Sequence, residues 1–124
     1  MNNVELAAAL FSALETAAAE PVRNLCRADL AASQNGGPIL NLESLLNLAT
    51  AATGVVKGFR YENAVRSATE AGFVEEHDVC GTLPDGSELK LAVCVVADVR
   101  DGRISALREY FDSRAAAGLA AALA

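Results

Sequence analysis

The sequence predicts an α+β domain in which helices come first and a curved antiparallel sheet follows and packs on them. Three observations predict it. Ala-rich stretches with apolar residues at helical spacing run up to Gly54. Four extended segments follow. The tripeptides Pro84-Asp85-Gly86 and Arg100-Asp101-Gly102 mark hairpins between them. Helices followed by a meander of this kind place the helices on one face of the sheet. At 124 residues the chain fits one domain, 1–124, with no repeat, linker or low-complexity tract. A hydrophobic content of 52% against 21% charged residues excludes intrinsic disorder.

From Val4 to Ala19, Leu6, Leu10, Phe11 and Leu14 recur on one helical face, a stripe read as core. Pro21 fits the first turn of a second short helix reaching Cys26. Residues 29–33 leave room for only a brief strand, and Asn35-Gly36-Gly37-Pro38 is a loop. Asn41 caps a helix whose apolar face is Leu42, Leu45, Leu46 and Ala49. Strands are expected over Val55–Ala68, Gly72–Thr82, Glu88–Val99 and Arg103–Asp112. A short helix over Ser113–Ala124, with Ser113 as its cap, closes the chain.

Charge and cysteine content exclude several function classes. Sixteen acidic residues against ten basic ones leave a net charge of −6. Such a surface repels phosphate backbones, so no nucleic-acid partner is expected. No apolar run is long enough for a membrane span, and Met-Asn-Asn-Val-Glu lacks the positive start of a secretory signal. Cys26, Cys80 and Cys94 are odd in number and lack Cys-x-x-Cys spacing, which predicts reduced thiols in a cytoplasmic protein.

Strand register singles out the candidate site. A two-residue loop at Asp85-Gly86 sets Asp78 opposite Val93, Glu76 opposite Val95 and Cys80 opposite Leu91. A three-residue loop at Arg100-Asp101-Gly102 sets Val93 opposite Glu109, Val95 opposite Leu107 and Leu91 opposite Phe111. Asp78, Val93 and Glu109 then form one row on a concave face, with Glu76 a step away and Leu91, Val95, Leu107 and Phe111 around them. The outer strands of the three lie about 9–10 Å apart, close enough for side chains to converge. The opposite face receives Glu75, His77, Cys94, Arg108 and Tyr110, a mixed set suited to a wet surface or a dimer contact.

Carboxyls in an apolar concavity have raised and divergent pKa values, so one serves as a base and another as a proton donor. This needs neither metal nor cofactor. The competing reading has the same carboxylates facing solvent or paired with Arg60, Arg66 or Arg108. Glu75-Glu76-His77-Asp78 has metal-ligand residue types, but alternate residues on a strand face opposite ways, so no metal site is expected. Cys80 faces the pocket as a small apolar filler, because no second histidine exists to activate it.

Asp98-Val99-Arg100-Asp101-Gly102-Arg103-Ile104 with Leu107-Arg108-Glu109-Tyr110-Phe111-Asp112 resembles the closing hairpin of SnoaL-like proteins, within the nuclear transport factor 2-like superfamily. Glu75-Glu76-His77-Asp78-Val79 and Leu83-Pro84-Asp85-Gly86 are similar to the same family. The resemblance implies a cone-shaped α+β barrel with an interior pocket, commonly a homodimer. Against the limonene-1,2-epoxide hydrolases, their Arg-x-Asp motif falls on Glu76-His77-Asp78, with Glu76 in place of Arg. Their later Asp falls on Glu109, and their Tyr-x-Asn motif on Ser33-Gln34-Asn35, which retains Asn35 but not the Tyr. The family's polyketide cyclases and ketosteroid isomerases also work with pocket carboxylates. The resemblance therefore implies a small apolar, ring-sized substrate and acid/base chemistry by Glu109 and Asp78. Glu76 tunes them, Asn35 assists, and Leu91, Val93, Val95, Leu107 and Phe111 line the pocket. It also implies an alternative, a non-catalytic dimeric binding or scaffold domain with a degenerate pocket.

Overall fold

The computed structural model describes all 124 residues, as four helices and five strands in the order ααβαββββα. Helix α1 (Asn3–Glu15) starts on a capping box: Asn2 Oδ1 accepts from Glu5 N–H, and the Glu5 carboxylate accepts from Asn2 N–H. It ends at Thr16, earlier than expected, because Ala17 takes a left-handed conformation and turns the chain. Helix α2 (Ala19–Leu25) leads directly into strand β1 (Cys26–Gln34). Helix α3 (Leu42–Val55) is capped by Asn41, whose Oδ1 accepts from Ser44 N–H at 2.9 Å. Strands β2 (Lys57–Ala68), β3 (Gly72–Thr82), β4 (Glu88–Arg100) and β5 (Arg103–Phe111) follow. Helix α4 (Ala117–Leu123) begins four residues after Ser113, which does not cap it.

The five strands form one sheet in the order β1-β5-β4-β3-β2. The meander is antiparallel, but β1 adds to β5 in parallel, so the sheet is mixed and its edges do not meet in a closed barrel. The expected brief strand is thus nine residues long. It lacks a clean alternation of polar and apolar residues because its pairing with β5 slips between Cys26 and Ala31. Asn35 locks its end: its N–H donates to Glu109 O at 2.8 Å, and its Oδ1 accepts from Phe111 N–H at 3.0 Å.

The two hairpins exchange the loop types expected from sequence. Pro84-Asp85-Gly86 is a three-residue loop, with Leu83 N–H donating to Ser87 O, Gly86 N–H to Leu83 O, and Gly86 left-handed at φ +87°. Asp101-Gly102 is a two-residue loop in which both residues have positive φ, and Arg100 faces Arg103. A bulge between Asp98 and Val99 shifts β4 against β5 by one residue more.

The consequences for the two hairpins differ. Relative to the expected pairing, β5 moves two residues along β4, so Glu109 faces Val95 and keeps its side of the sheet. Strand β3 moves by one, which inverts it: His77 faces Val93, Glu75 faces Val95 and Asp78 faces Ala92. On the concave side, Phe73, Val79, Leu91, Val93, Val95, Ala97 and Leu107 pack in one core with α1. Phe11 of α1 meets Tyr61, Phe73 and His77 edge-on, with ring centroids 4.8–6.4 Å apart. Gly72 permits the close approach of β3 and β4, since a Cβ there would lie 2.1 Å from Ala97 O.

Candidate active site

A cavity of about 200 Å³ opens between the concave face and the helices. The floor is Leu91, Val93, Val95, Leu107 and Phe111 of the central strands, with Phe59, Tyr61 and Val79 beside them. Phe11 and Leu14 of α1, one face of α3 and Leu119, Ala120 and Leu123 of α4 form the walls. Of its 23 lining residues 20 are hydrophobic, and the exceptions, Ser33, Gln34 and Glu109, sit together where β1 joins β5.

Glu109 is the one carboxylate in this lining. It faces Gln34 across the parallel pair, and Gln34 Nε2 donates to its Oε1 at 3.2 Å. The residue is half-buried by exposure, yet protein crowds its carboxyl closely enough for burial to raise its pKa; His77 and the Gln34 hydrogen bond pull the other way. Tyr61 borders the same cavity. Burial, and then the negative charges of Glu109, Glu15 and Glu75, push its phenol pKa up, so it stays a proton donor. Its backbone N–H is held by Glu15 Oε2 at 2.8 Å, which ties α1 to β2.

Behind the wall lies a buried ionic chain. Arg66 Nε donates to Glu75 Oε1 at 2.6 Å, and Glu75 Oε2 meets His77 Nδ1 at 2.7 Å. Glu75 has no exposed surface and His77 keeps 3%. The His77 ring rests against Phe11 and Tyr61, with centroids 4.8 and 4.5 Å away.

No family model matches the sequence and no curated protein matches it. Solved structures do. A protein assigned as a polyketide cyclase from Xanthomonas campestris superposes with a TM-score of 0.80 at 18% identity, covering 98% of this chain and 96% of its own. One assigned as a SnoaL-like polyketide cyclase from Jannaschia sp. gives 0.79 at 15% identity, over 93% and 88%. An LEH-like epoxide hydrolase from M. tuberculosis gives 0.72 at 24% identity, over 96% and 92%. This chain has the nuclear transport factor 2-like fold.

Within that fold the expected site residues divide into two groups. Glu109, Leu91, Val93, Val95, Leu107 and Phe111 converge on the cavity. Asp78, Glu76, Cys80 and Asn35 do not. The inverted β3 puts Glu76 in solvent and Asp78 on the outer face, where Asn63 Nδ2 donates to its Oδ2 at 2.9 Å. Cys80 is buried on that same face, opposite Arg60 and Lys90, and burial pushes its thiol pKa up. Asn35 is exposed and spends its side chain on the β5 backbone. Glu75 and His77, expected outside, are the inward pair.

Sequence reasoning missed Tyr61 and Gln34 as well. The Phe59-x-Tyr61 spacing, two aromatics on one face of a strand, was the available signal for Tyr61. No group of three or more His, Cys, Asp or Glu side chains comes together as a ligand set for a metal. No helix is long and apolar enough to cross a membrane.

Proposed function

We propose that this protein is a small-molecule enzyme in which Glu109 carries a proton to or from an apolar, ring-sized substrate. The observation that supports this reading is a single carboxyl, raised in pKa by burial, in an otherwise apolar cavity. A carboxyl whose pKa is raised toward neutrality is matched to general acid/base work. Gln34 orients Glu109 through Oε1, and the Tyr61 phenol offers a donor to an oxygen that gains charge as the proton moves. The aliphatic floor excludes water, which strengthens both interactions. Isomerisation, cyclisation and epoxide opening all fit this equipment, and similarity in fold to cyclases and an epoxide hydrolase supports the same range. The protein acts as a homodimer in this reading, with the contact on the outer face around Cys94 and Tyr110.

A second reading is a carrier that binds such compounds without turnover. It is favoured by the position of Glu76 and Asp78, which leaves Glu109 without a second carboxylate in the cavity.

One experiment addresses both readings. A thermal-shift screen against terpenoid epoxides, steroids, aromatic polyketides and fatty acids identifies the ligand class, since a ligand at a hundred times its Kd stabilises by roughly 2.7 kcal/mol. Turnover of that class is then measured with Glu109→Gln. Loss of turnover with binding retained supports the enzyme; binding without turnover in the native protein supports the carrier.

A further inference from the structure

The Arg66–Glu75–His77 chain plays no part in the chemistry assigned to Glu109, yet it is the most deeply buried polar construction in the molecule. The Arg66 guanidinium donates to Glu75, and the Glu75 carboxylate paired with it accepts on both oxygens. His77 Nδ1 then supplies the hydrogen of the 2.7 Å contact. Nε2 is then the one polar atom of the ring left over. That atom is buried and has no hydrogen-bond partner. A buried polar atom left unmet is destabilising, and such exceptions call for an explanation.

The surroundings do not satisfy it. The ring is bounded by Phe11 of α1 and Tyr61 of β2, whose faces and edges offer no conventional hydrogen-bond partner. The other charged or titratable groups near it are Glu75, joined to Nδ1; Arg66, bonded in turn to Glu75; Glu15, which holds the Tyr61 backbone; and Glu109, across the cavity on β5. Phe11 and Tyr61 both line the cavity, so the imidazole stands directly behind its wall.

We propose that His77 Nε2 is a ligand contact of this cavity, which shares a hydrogen bond with a hydroxyl group on an apolar ring compound when that compound parts the Phe11 and Tyr61 rings. The inference rests on the cavity being a ligand site, as read above. It adds a second polar anchor on the far side from Glu109. Strands β3 and β5 are separated by β4, so the two anchors spring from strands about 9–10 Å apart, in rows two residues from one another. A compound with a hydroxyl at one end and its reacting group at the other spans them. Glu75 and Arg66 act as positioning residues that hold the ring through Nδ1 and leave Nε2 for the ligand.

His77 is the only histidine, so the imidazole nitrogen signals of protein labelled with 15N-histidine belong to it alone. The probes are 2-naphthol and 2-methylnaphthalene, equal in shape and differing in the hydroxyl. The expected result is that both bind by equilibrium dialysis and that only 2-naphthol moves the Nε2 resonance. His77→Phe then weakens 2-naphthol about fivefold, the range of one net hydrogen bond, and leaves 2-methylnaphthalene unchanged. The resonance is read on the native protein, so the outcome does not depend on the variant folding. If both probes bind and Nε2 does not move, this inference is overturned while the role of Glu109 stands. If neither binds, the cavity is not a site for such compounds, and that reading falls together with this one.

Discussion

The concave and outer faces of the sheet carry the same kinds of residue on β3 and treat them in opposite ways. Glu75 and Glu76 are neighbours in sequence; one has no exposed surface and is held between Arg66 and His77, while the other stands in solvent. On β5 and β4 the contrast is one of acidity. Burial raises the pKa of Glu109 on the concave side. On the outer side the two hydrogen bonds from Arg108, each 3.0 Å, lower that of Asp98. Environment rather than residue type assigns these roles. A carboxyl with a cation beside it is a structural anion, and a carboxyl in apolar surroundings is a proton carrier.

Cutting the buried chain gives the largest expected difference between the faces. Glu75→Gln leaves Arg66 and His77 without their anion and should cost about 3 kcal/mol, toward the low end for a broken buried pair because Arg66 reaches solvent. Glu76→Gln should stay within about 0.5 kcal/mol. Urea unfolding of the two variants measures both. A reversed order of the two effects would mean that β3 faces the other way. Next comes Leu91→Ala against Lys90→Ala on β4. The first empties part of the cavity floor and should cost about 3 kcal/mol. The second removes an exposed side chain and should be nearly silent.

Much of this comparison is legible in the sequence for β4 and β5 and almost none of it for β3. Leu89, Leu91, Val93, Val95 and Ala97 alternate with Lys90, Ala92, Cys94 and Val96, and that pattern alone points the odd-numbered residues inward. Strand β3 offers no such contrast. Phe73, Glu75, His77 and Val79 compete with Val74, Glu76, Asp78 and Cys80, and each set mixes apolar with charged groups. Its facing therefore hangs on one loop length. The order of elements and the Asn41 cap are local matters and are legible. The parallel β1–β5 pairing is not, because its strand has no clean period and its partner lies some 75 residues away in the chain.

Loop chemistry held the missing information. A two-residue turn of the primed type needs positive φ at both loop positions, as Asp101 and Gly102 show. Pro84 is locked near φ −65°, which suits the second position of a type I turn and leads to a left-handed Gly86. Gly86→Ala places a Cβ in open space but on a left-handed backbone, so the expected loss is about 1 kcal/mol by urea unfolding. A neutral result would mean that Gly86 does not take a left-handed backbone, against the three-residue loop.

The smallest expected effect is one of sign in the pH dependence of stability. The folded-state pKa of Glu109 lies above the ordinary 4.5. As pH rises past that value the unfolded chain loses its proton first, so stability falls until the folded pKa is passed. Asp98 behaves oppositely: its folded pKa lies below the ordinary 3.8, so its contribution is present above that value and is lost as pH falls toward the folded pKa. Glu109→Gln should therefore flatten the decline above pH 4.5 and leave the acid limb intact, and Asp98→Asn should flatten the acid limb only. Unfolding free energies between about pH 3 and pH 8 resolve the two. If Glu109→Gln instead removed stability that the native protein gains with rising pH, Glu109 would be an anion held by a cation, and the concave face would differ from the outer face only in how little water reaches it.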